Sequence, residues 1–346
     1  MVPFGVAFVT GSTGLLGSNL VRELVSRGVK VRALARSPDK ARKQFADLAG
    51  VEVIQGDMLQ VEAFTSALSD VDVLFHTAAH FRDSYTGGNH WAELKSTNVD
   101  GTRDLLKAAY HAGVRRAVLT SSIAVLNGKR GTLINESMLR ELADADDYYR
   151  SKIMGDEVAS DLMQTHPDLD VCFVLPGWMH GPGDAGPTSA GQVTLDYLAQ
   201  KLPGVAPATF SFVDARDVAL AEIAAAERGR RGERYLAAGC HTTMGDLLKD
   251  YEAVSGVPAP NRKIPGALLL IIATVSEVIA RVTRKPILLS LATVKLMLKE
   301  ADRTRFDHTK SQRELNVTFR PITETLRDEI EWFRSHGWLG HVATAA

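Results

Sequence analysis

Cysteine is almost missing from this chain, with only Cys172 and Cys240 among 346 residues. Two distant thiols with no histidines at ligand spacing exclude a disulfide-stapled scaffold and leave no metal site. Both are expected as buried thiols in a reducing compartment. A dominant charge is missing too: 40 basic and 41 acidic residues leave a net charge of -1, which removes the electrostatic case for nucleic acid. The densest basic cluster, Arg228-Gly229-Arg230-Arg231, reads as a solvated loop after a helix. Long apolar runs are absent as well. The most apolar segment, Ala267 to Val275, is followed by Glu277 and Arg281 and falls well short of the ~20 residues that cross a bilayer. It reads as a buried or substrate-lining helix, with shallow membrane contact as the alternative and no stable membrane insertion. An apolar strand begins within the first few residues and leaves no room for a signal peptide, so the expected location is cytoplasmic.

What is present begins at once. The apolar run Val6-Ala7-Phe8-Val9 leads into Thr10-Gly11-Ser12-Thr13-Gly14-Leu15-Leu16-Gly17 and then into an amphipathic helical pattern. A strand, a glycine-punctuated turn and a helix in that order suit a dinucleotide pyrophosphate. Gly11 permits the tight turn, Gly14 lets backbone approach phosphate, and Gly17 lets the helix pack close to the strand. The helix N-terminus adds free N–H groups and the positive end of a dipole. Gly11 through Gly17 are therefore candidate cofactor-binding residues.

The first half then alternates strand and helix, with further strands at Val29–Ala35, Val51–Asp57, Val71–His76 and Ala117–Thr120. Alternating units of this kind predict an α/β fold of Rossmann type, a doubly wound parallel sheet with right-handed crossovers. Beyond residue 176 the pattern loosens, and from about Ile264 it turns helical. A nucleotide domain over 1–175 and a smaller, mostly helical substrate lobe over 176–346 are expected, with strand exchange between them as an option.

An acid ending the second strand would accept hydrogen bonds from the ribose 2′-hydroxyl and favour NAD. Here the strand ends Ala35-Arg36-Ser37, with Lys40 beyond. Arg36 and Lys40 can hold a 2′-phosphate, so NADP is favoured over NAD. Asp57 at the third strand end is either an acceptor for the adenine amino group, with Met58 beside it, or a turn aspartate. The fourth strand enters Thr77-Ala78-Ala79 at the same sheet edge, where ligands of such sheets bind.

Tyr148-Tyr149-Arg150-Ser151-Lys152 places Tyr148 and Lys152 four apart on one helical face. An ammonium near a phenol favours the phenolate and brings a pKa of ~10 toward the range of an acid–base catalyst. Tyr149 lies only three residues from Lys152 and is the poorer choice. Thr120-Ser121-Ser122 follows the fifth strand and offers hydroxyls to a substrate oxygen. Asn98 sits inside the predicted helix Trp91–Ala112, where an amide is disfavoured and either bends the helix or holds a water.

Together with Ala78-Ala79-His80, Asn98-Val99-Asp100-Gly101-Thr102, Pro176-Gly177-Trp178-Met179-His180 and Phe212-Val213-Asp214-Ala215-Arg216-Asp217, these motifs resemble the extended short-chain dehydrogenase/reductases. The likeness is nearest to the dihydroflavonol-4-reductase-like branch and its bacterial relatives. The resemblance implies that Tyr148 donates a proton to a carbonyl oxygen as hydride arrives from the nicotinamide. It implies that Ser122, rather than Ser121, bonds that oxygen, and that Lys152 lowers the tyrosine pKa and grips the ribose. Asn98 joins this candidate catalytic group, and Pro176 joins the cofactor residues. Arg36 matches the arginine that the reductase branch uses for the 2′-phosphate. Trp178-Met179-His180 and Ala215-Arg216 depart from the usual pattern where substrate would sit.

The expected function is an NADP-dependent reduction of a ketone or aldehyde in a small apolar or aromatic substrate. Phe81, Tyr85, Trp178, Met179 and the 264–275 segment are the candidate lining residues. The rival is an NAD-dependent nucleotide-sugar epimerase or dehydratase, for which Arg262, Lys263 and Arg281 would face a second diphosphate. A non-catalytic nucleotide sensor would need the glycine cradle but not Ser122, Tyr148 and Lys152. Relatives often dimerise through two helices, and here Trp91–Ala112 and Tyr148–Leu162 would form a homodimer.

Overall fold

The short apolar runs of the sequence become strands: β1 (Val6–Thr10), β2 (Lys30–Ala35), β3 (Val51–Gln55), β4 (Val73–His76), β5 (Arg116–Thr120), β6 (Asp170–Pro176), β7 (Trp178–His180), β8 (Thr209–Asp214), β9 (Arg234–Ala237) and β10 (Cys240–Thr243). They are seen in a computed structural model that describes residues 3–81, 90–283 and 291–339. Seven of them form one parallel sheet in the order β3-β2-β1-β4-β5-β6-β9. The chain steps outward from β1 to β3, then returns to place β4 on the other side of β1. That reversal opens a crevice beyond the carboxyl ends of β1 and β4, which is where such sheets bind ligands.

Both faces of the sheet are covered, so its central strands are apolar almost throughout rather than alternating. On one face Ala7, Val9, Val31 and Val174 pack against the helices Leu15–Ser26 and Ala215–Arg228, which also touch each other. On the other, Phe8, Leu74, Leu119 and Phe173 meet the turns Val61–Leu68 and the helices Gly101–His111 and Asp147–Thr165. β9 comes from beyond residue 176 yet pairs with β6, Phe173 opposite Arg234 and Pro176 opposite Ala237.

The later chain is helical over Gly266–Thr283, Leu291–Glu300, Thr309–Leu315 and Ile322–Ser335. It also carries a small sheet that the sequence pattern did not announce, in the order β10-β8-β7, with β7 parallel and β10 antiparallel to β8. Its strands are only three to six residues long, too short for alternation to register. Phe212 on β8 joins Tyr197, Tyr251, Leu326 and Ile330 in a separate core. Cys172 is buried as expected, but Cys240 is exposed. Its place on β10, an edge strand of the small sheet, lets alternation turn the thiol outward. Among the described residues no helix is long and apolar enough to cross a membrane.

Candidate active site

The turn after β1 is shaped by what glycine alone permits. Gly11 has φ +64°, and a Cβ there would lie 2.7 Å from the Ala78 nitrogen at the end of β4. A Cβ on Gly17 would sit 2.2 Å from the Gly11 carbonyl oxygen, so the helix can start this close to the strand only as it is. Above Gly14 the space is open, with a single carbonyl at 3.4 Å from a hypothetical Cβ. The Leu15–Ser26 helix has no side-chain cap and no acid in its first turn, which leaves its leading N–H groups to an anion. Ser12 turns inward and donates to the Leu34 carbonyl at 2.7 Å, while Leu15 and Leu16 are buried. The Thr13 carbonyl accepts from Gln44 at 3.4 Å. This cradle fits a pyrophosphate by shape and backbone dipole, with no side-chain charge of its own.

At the end of β2, Arg36 and Lys40 are both exposed and in no ion pair among the described residues. Arg32, by contrast, is held by Glu52 at 3.2 Å and by the Ala67 carbonyl at 2.9 Å. Asp57 Oδ1 accepts from the Leu59 N–H at 3.0 Å, closing a turn, and Met58 is buried. Thr77 donates to the Thr10 carbonyl at 2.8 Å, and the Ala78 N–H donates to Thr10 Oγ1 at 3.2 Å. These two bonds stitch the ends of β1 and β4 together beneath the crevice.

Tyr148 and Lys152 lie one turn apart on the Asp147–Thr165 helix. Asp146 caps that helix by accepting from the Tyr149 N–H at 2.9 Å. Lys152 is half-buried and its Nζ donates to the Thr120 carbonyl at 2.8 Å, at the very end of β5. Burial brings its ammonium down to about 8, against the upward pull of Asp156 and Glu222. The two serines that follow β5 face different ways. Ser121 is buried and donates to Asp156 Oδ2 at 2.9 Å, whereas half-buried Ser122 accepts from the Ala124 N–H at 3.1 Å and keeps its own proton to donate. Tyr149 is engaged elsewhere, with the Arg140 guanidinium 4.8 Å over its ring. The Tyr148 ring meets Phe81 edge-on at 4.8 Å.

Asn98 sits in a π-type widening, Ser96–Asp100, of what the sequence presents as one continuous helix. Its Oδ1 accepts from the His80 N–H at 2.6 Å, and its Nδ2 donates to the His80 carbonyl at 2.9 Å and to Ser151 Oγ at 3.0 Å. Ser151 in turn donates to the Tyr148 carbonyl at 2.8 Å. The amide thus fastens the loop after β4 to the first turn of the tyrosine helix.

Several residues of the site gave no signal in the sequence. Buried His76 has Thr10 Oγ1 2.7 Å from Nδ1 and Thr102 Oγ1 2.9 Å from Nε2. Because Thr102 already donates to the Asn98 carbonyl at 2.8 Å, Nε2 must be the protonated nitrogen. Burial, helped by nearby Lys152, holds the ring neutral by bringing its pKa down to about 3. Buried Glu222 accepts from Thr120 Oγ1 and its other oxygen has no partner; burial raises its pKa to about 8. His76, Asn98, Thr120, Lys152 and Asp156 line a small cavity under the sheet edge. A polar residue ending an apolar strand, as His76 does, is the one clue the sequence held.

Other candidates lie apart from this cavity. Trp178 stacks on Phe210 at 4.4 Å, and buried His180 stacks on Phe212 at 4.4 Å while facing Glu329 Oε2 at 3.2 Å. Met179 packs against the core that contains Val213. Arg216 is clamped by Asp214 at 2.6 Å and Asp328 at 2.7 Å. Pro176 ends β6, buried. The 264–275 segment turns one face to a core and the other outward, and Arg262 and Lys263 are exposed. Tyr85 and the Arg281 side chain lie outside the described residues.

Comparison with known proteins matches residues 7–238 to the NAD dependent epimerase/dehydratase family. Sterol demethylase protein B of Methylococcus capsulatus is 34% identical over 336 residues, covering 96% of this chain and 99% of that protein. A putative dihydroflavonol 4-reductase of Synechocystis sp. is 32% identical over 348 residues, covering 96% and 95%. Among solved structures, that of gox2253 superposes with a TM-score of 0.81 at 31% identity, covering 96% of this chain and 98% of its own.

Proposed function

This chain belongs to the NAD dependent epimerase/dehydratase family and is an NAD(P)-dependent oxidoreductase, and from that premise we propose that it reduces the ketone or aldehyde carbonyl of an apolar ring-bearing substrate with NADPH. The observation that carries the reading is the meeting, at the end of β5, of Ser122 with a free proton and Lys152 one turn beyond Tyr148. A reduced nicotinamide, when bound, supplies the hydride. The Tyr148 phenol donates its proton to the carbonyl oxygen, and the Ser122 hydroxyl donates a hydrogen bond to the same oxygen and orients it. Lys152 holds positive charge beside the phenol and favours its ionised form once the proton has gone. Asn98 acts as a positioning residue, since its amide bonds fix the turn that carries Tyr148.

Gly11, Ser12, Thr13, Gly14, Leu15, Leu16 and Gly17 hold the pyrophosphate, with Thr77, Ala78, Ala79 and Pro176 at the neighbouring strand ends and Asp57 and Met58 toward the adenine. Arg36 and Lys40 take the 2′-phosphate, and their exposure without ion-pair partners leaves both charges available for it. Two observations support an apolar substrate. Phe81 stands against the Tyr148 ring, and two relatives are named for a sterol and a dihydroflavonol, both ring compounds. The outer faces of the Gly101–His111 and Asp147–Thr165 helices are the proposed homodimer contact.

The test pairs fluorescence titrations of NADPH and NADH with turnover on a panel of sterol-like ketones, aromatic aldehydes and nucleotide sugars. NADPH should bind more tightly and ring ketones should turn over. Tyr148→Phe should lose about 10²–10⁴-fold in kcat with cofactor affinity nearly unchanged. Turnover of nucleotide sugars alone, or unimpaired Tyr148→Phe, overturns the proposal.

A further inference from the structure

Over residues 266–275 the helix Gly266–Thr283 is apolar on both faces, and one of them packs on a core while the other is exposed. Leu269 and Ala273 pack with Ile264 and Val294 in a small core, while Leu268, Ile271 and Val275 are 37%, 61% and 52% exposed. Spaced three and four apart, those three form one outward stripe, continued by exposed Ala267 and Thr274. Glu277 does not interrupt it, because its carboxylate accepts from the Leu291 N–H at 2.9 Å and so faces the next helix. Exposed Arg262 and Lys263 stand just before the helix, and exposed Lys295 lies on the helix that follows. The segment is basic in sequence as well. Residues 261–300 contain seven lysines and arginines against two glutamates, in a chain whose net charge is -1.

We propose that this stripe, flanked by its basic residues, docks the protein on an anionic lipid bilayer, the helix lying along the interface. An apolar stripe with basic flanks is what binds such a surface by insertion and charge together. A lipid surface fits better than a second copy of this chain, since two such segments would bring like charges together. The helix is not long and apolar enough to cross the bilayer. The neighbouring helix Leu291–Glu300 is tied to the segment before the tyrosine helix, Glu300 to Arg140 at 3.0 Å and Lys299 to Asp144 at 2.8 Å. Docking would therefore place the bilayer beside the region that leads to Tyr148. The inference stands on the surface itself and not on the proposed reaction.

The experiment is co-sedimentation of the intact protein with phosphatidylcholine vesicles, with and without phosphatidylglycerol, at low and high salt, alongside light scattering for mass. The protein should sediment with the anionic vesicles at low salt and release at high salt. Ile271→Glu should weaken this partition about tenfold or more, since an outward charge must enter the interface. Leu59→Glu, which changes an equally exposed leucine (59%) in the turn after β3 and outside the stripe, should leave it unchanged. Circular dichroism of each variant checks that the fold is kept. No sedimentation, equal binding to uncharged vesicles, or indifference to Ile271→Glu overturns the proposal. So does a mass that halves in Ile271→Glu without change in partition.

Discussion

The two halves of the large sheet's carboxyl edge are furnished in opposite ways. Beyond β1 and β2 the site is made of backbone: glycines that exclude Cβ atoms, unpaired N–H groups, and two cations standing loose in solvent. Beyond β4 and β5 it is made of buried and half-buried side chains held in place by hydrogen bonds, His76 between two threonines, Asn98 on His80 and Ser151, Lys152 on Thr120. Under the proposed function the first half binds by shape and charge, and the second sets where protons sit. Damage to one half should therefore appear in affinity and damage to the other in turnover.

The sharpest way to break this division is to exchange the two serines after β5. Ser122→Ala should lower kcat by about 10²–10³-fold, because it removes a donor to the reacting oxygen, with cofactor affinity kept. Ser121→Ala should instead leave Asp156 without its hydroxyl and cost about 1–3 kcal/mol of stability, read by denaturant unfolding, with much smaller loss of turnover. Reversal of the two would dissolve the contrast. Next in size is Gly17→Ala. Its Cβ cannot fit against Gly11, so the turn must shift, and NADPH affinity should fall about 10–100-fold while kcat at saturation stays within a few-fold. Arg36→Ala should weaken NADPH about tenfold and NADH hardly at all, measured by fluorescence titration.

The smallest expected effect concerns pH. Lys152 has its pKa brought down to about 8, so its charge is present below that pH and lost as pH rises through it. Activity that needs the ammonium should fall on the alkaline side from about pH 8. The Glu222 carboxylate pulls the Lys152 pKa upward, so Glu222→Gln should move this limb to lower pH by less than about one unit. The same variant bears on stability with a definite sign. Glu222 has its pKa raised to about 8 in the fold, so its protonated form is favoured and stability is lost as pH rises from the unfolded value toward and through 8. Glu222→Gln should flatten that decline in a series of thermal melts.

How much of this was legible in the sequence follows the same division. A backbone cradle needs specific residues at fixed spacing within one turn, so Gly11, Gly14 and Gly17 stood out, as did the parallel sheet whose buried strands read as unbroken apolar runs. The tyrosine and lysine shared one helix and were equally plain. The buried partners were hidden because each comes from a different element. Glu222 is one of three acids in an alanine-rich helix and has no local pattern, and His76, the last residue of a core strand, shows only as a polar end to an apolar run. Local reading also could not show that Asn98 spends its amide on His80 and Ser151, or that Cys240 faces outward. The small sheet was missed because three to six residues are too few to display a period.

One feature of the large sheet reaches beyond the finished molecule. Its last strand, β9, arrives some 60 residues after β6 has been made. During synthesis, a chain that has emerged only to Pro176 presents the bare flank of β6, with open N–H and C=O groups beside a still uncovered apolar face. The helix Ala215–Arg228, which covers that face, is also still to come. Nascent chains of this length should be the ones that chaperones hold and that aggregate when released, and those extended past Ala237 should not.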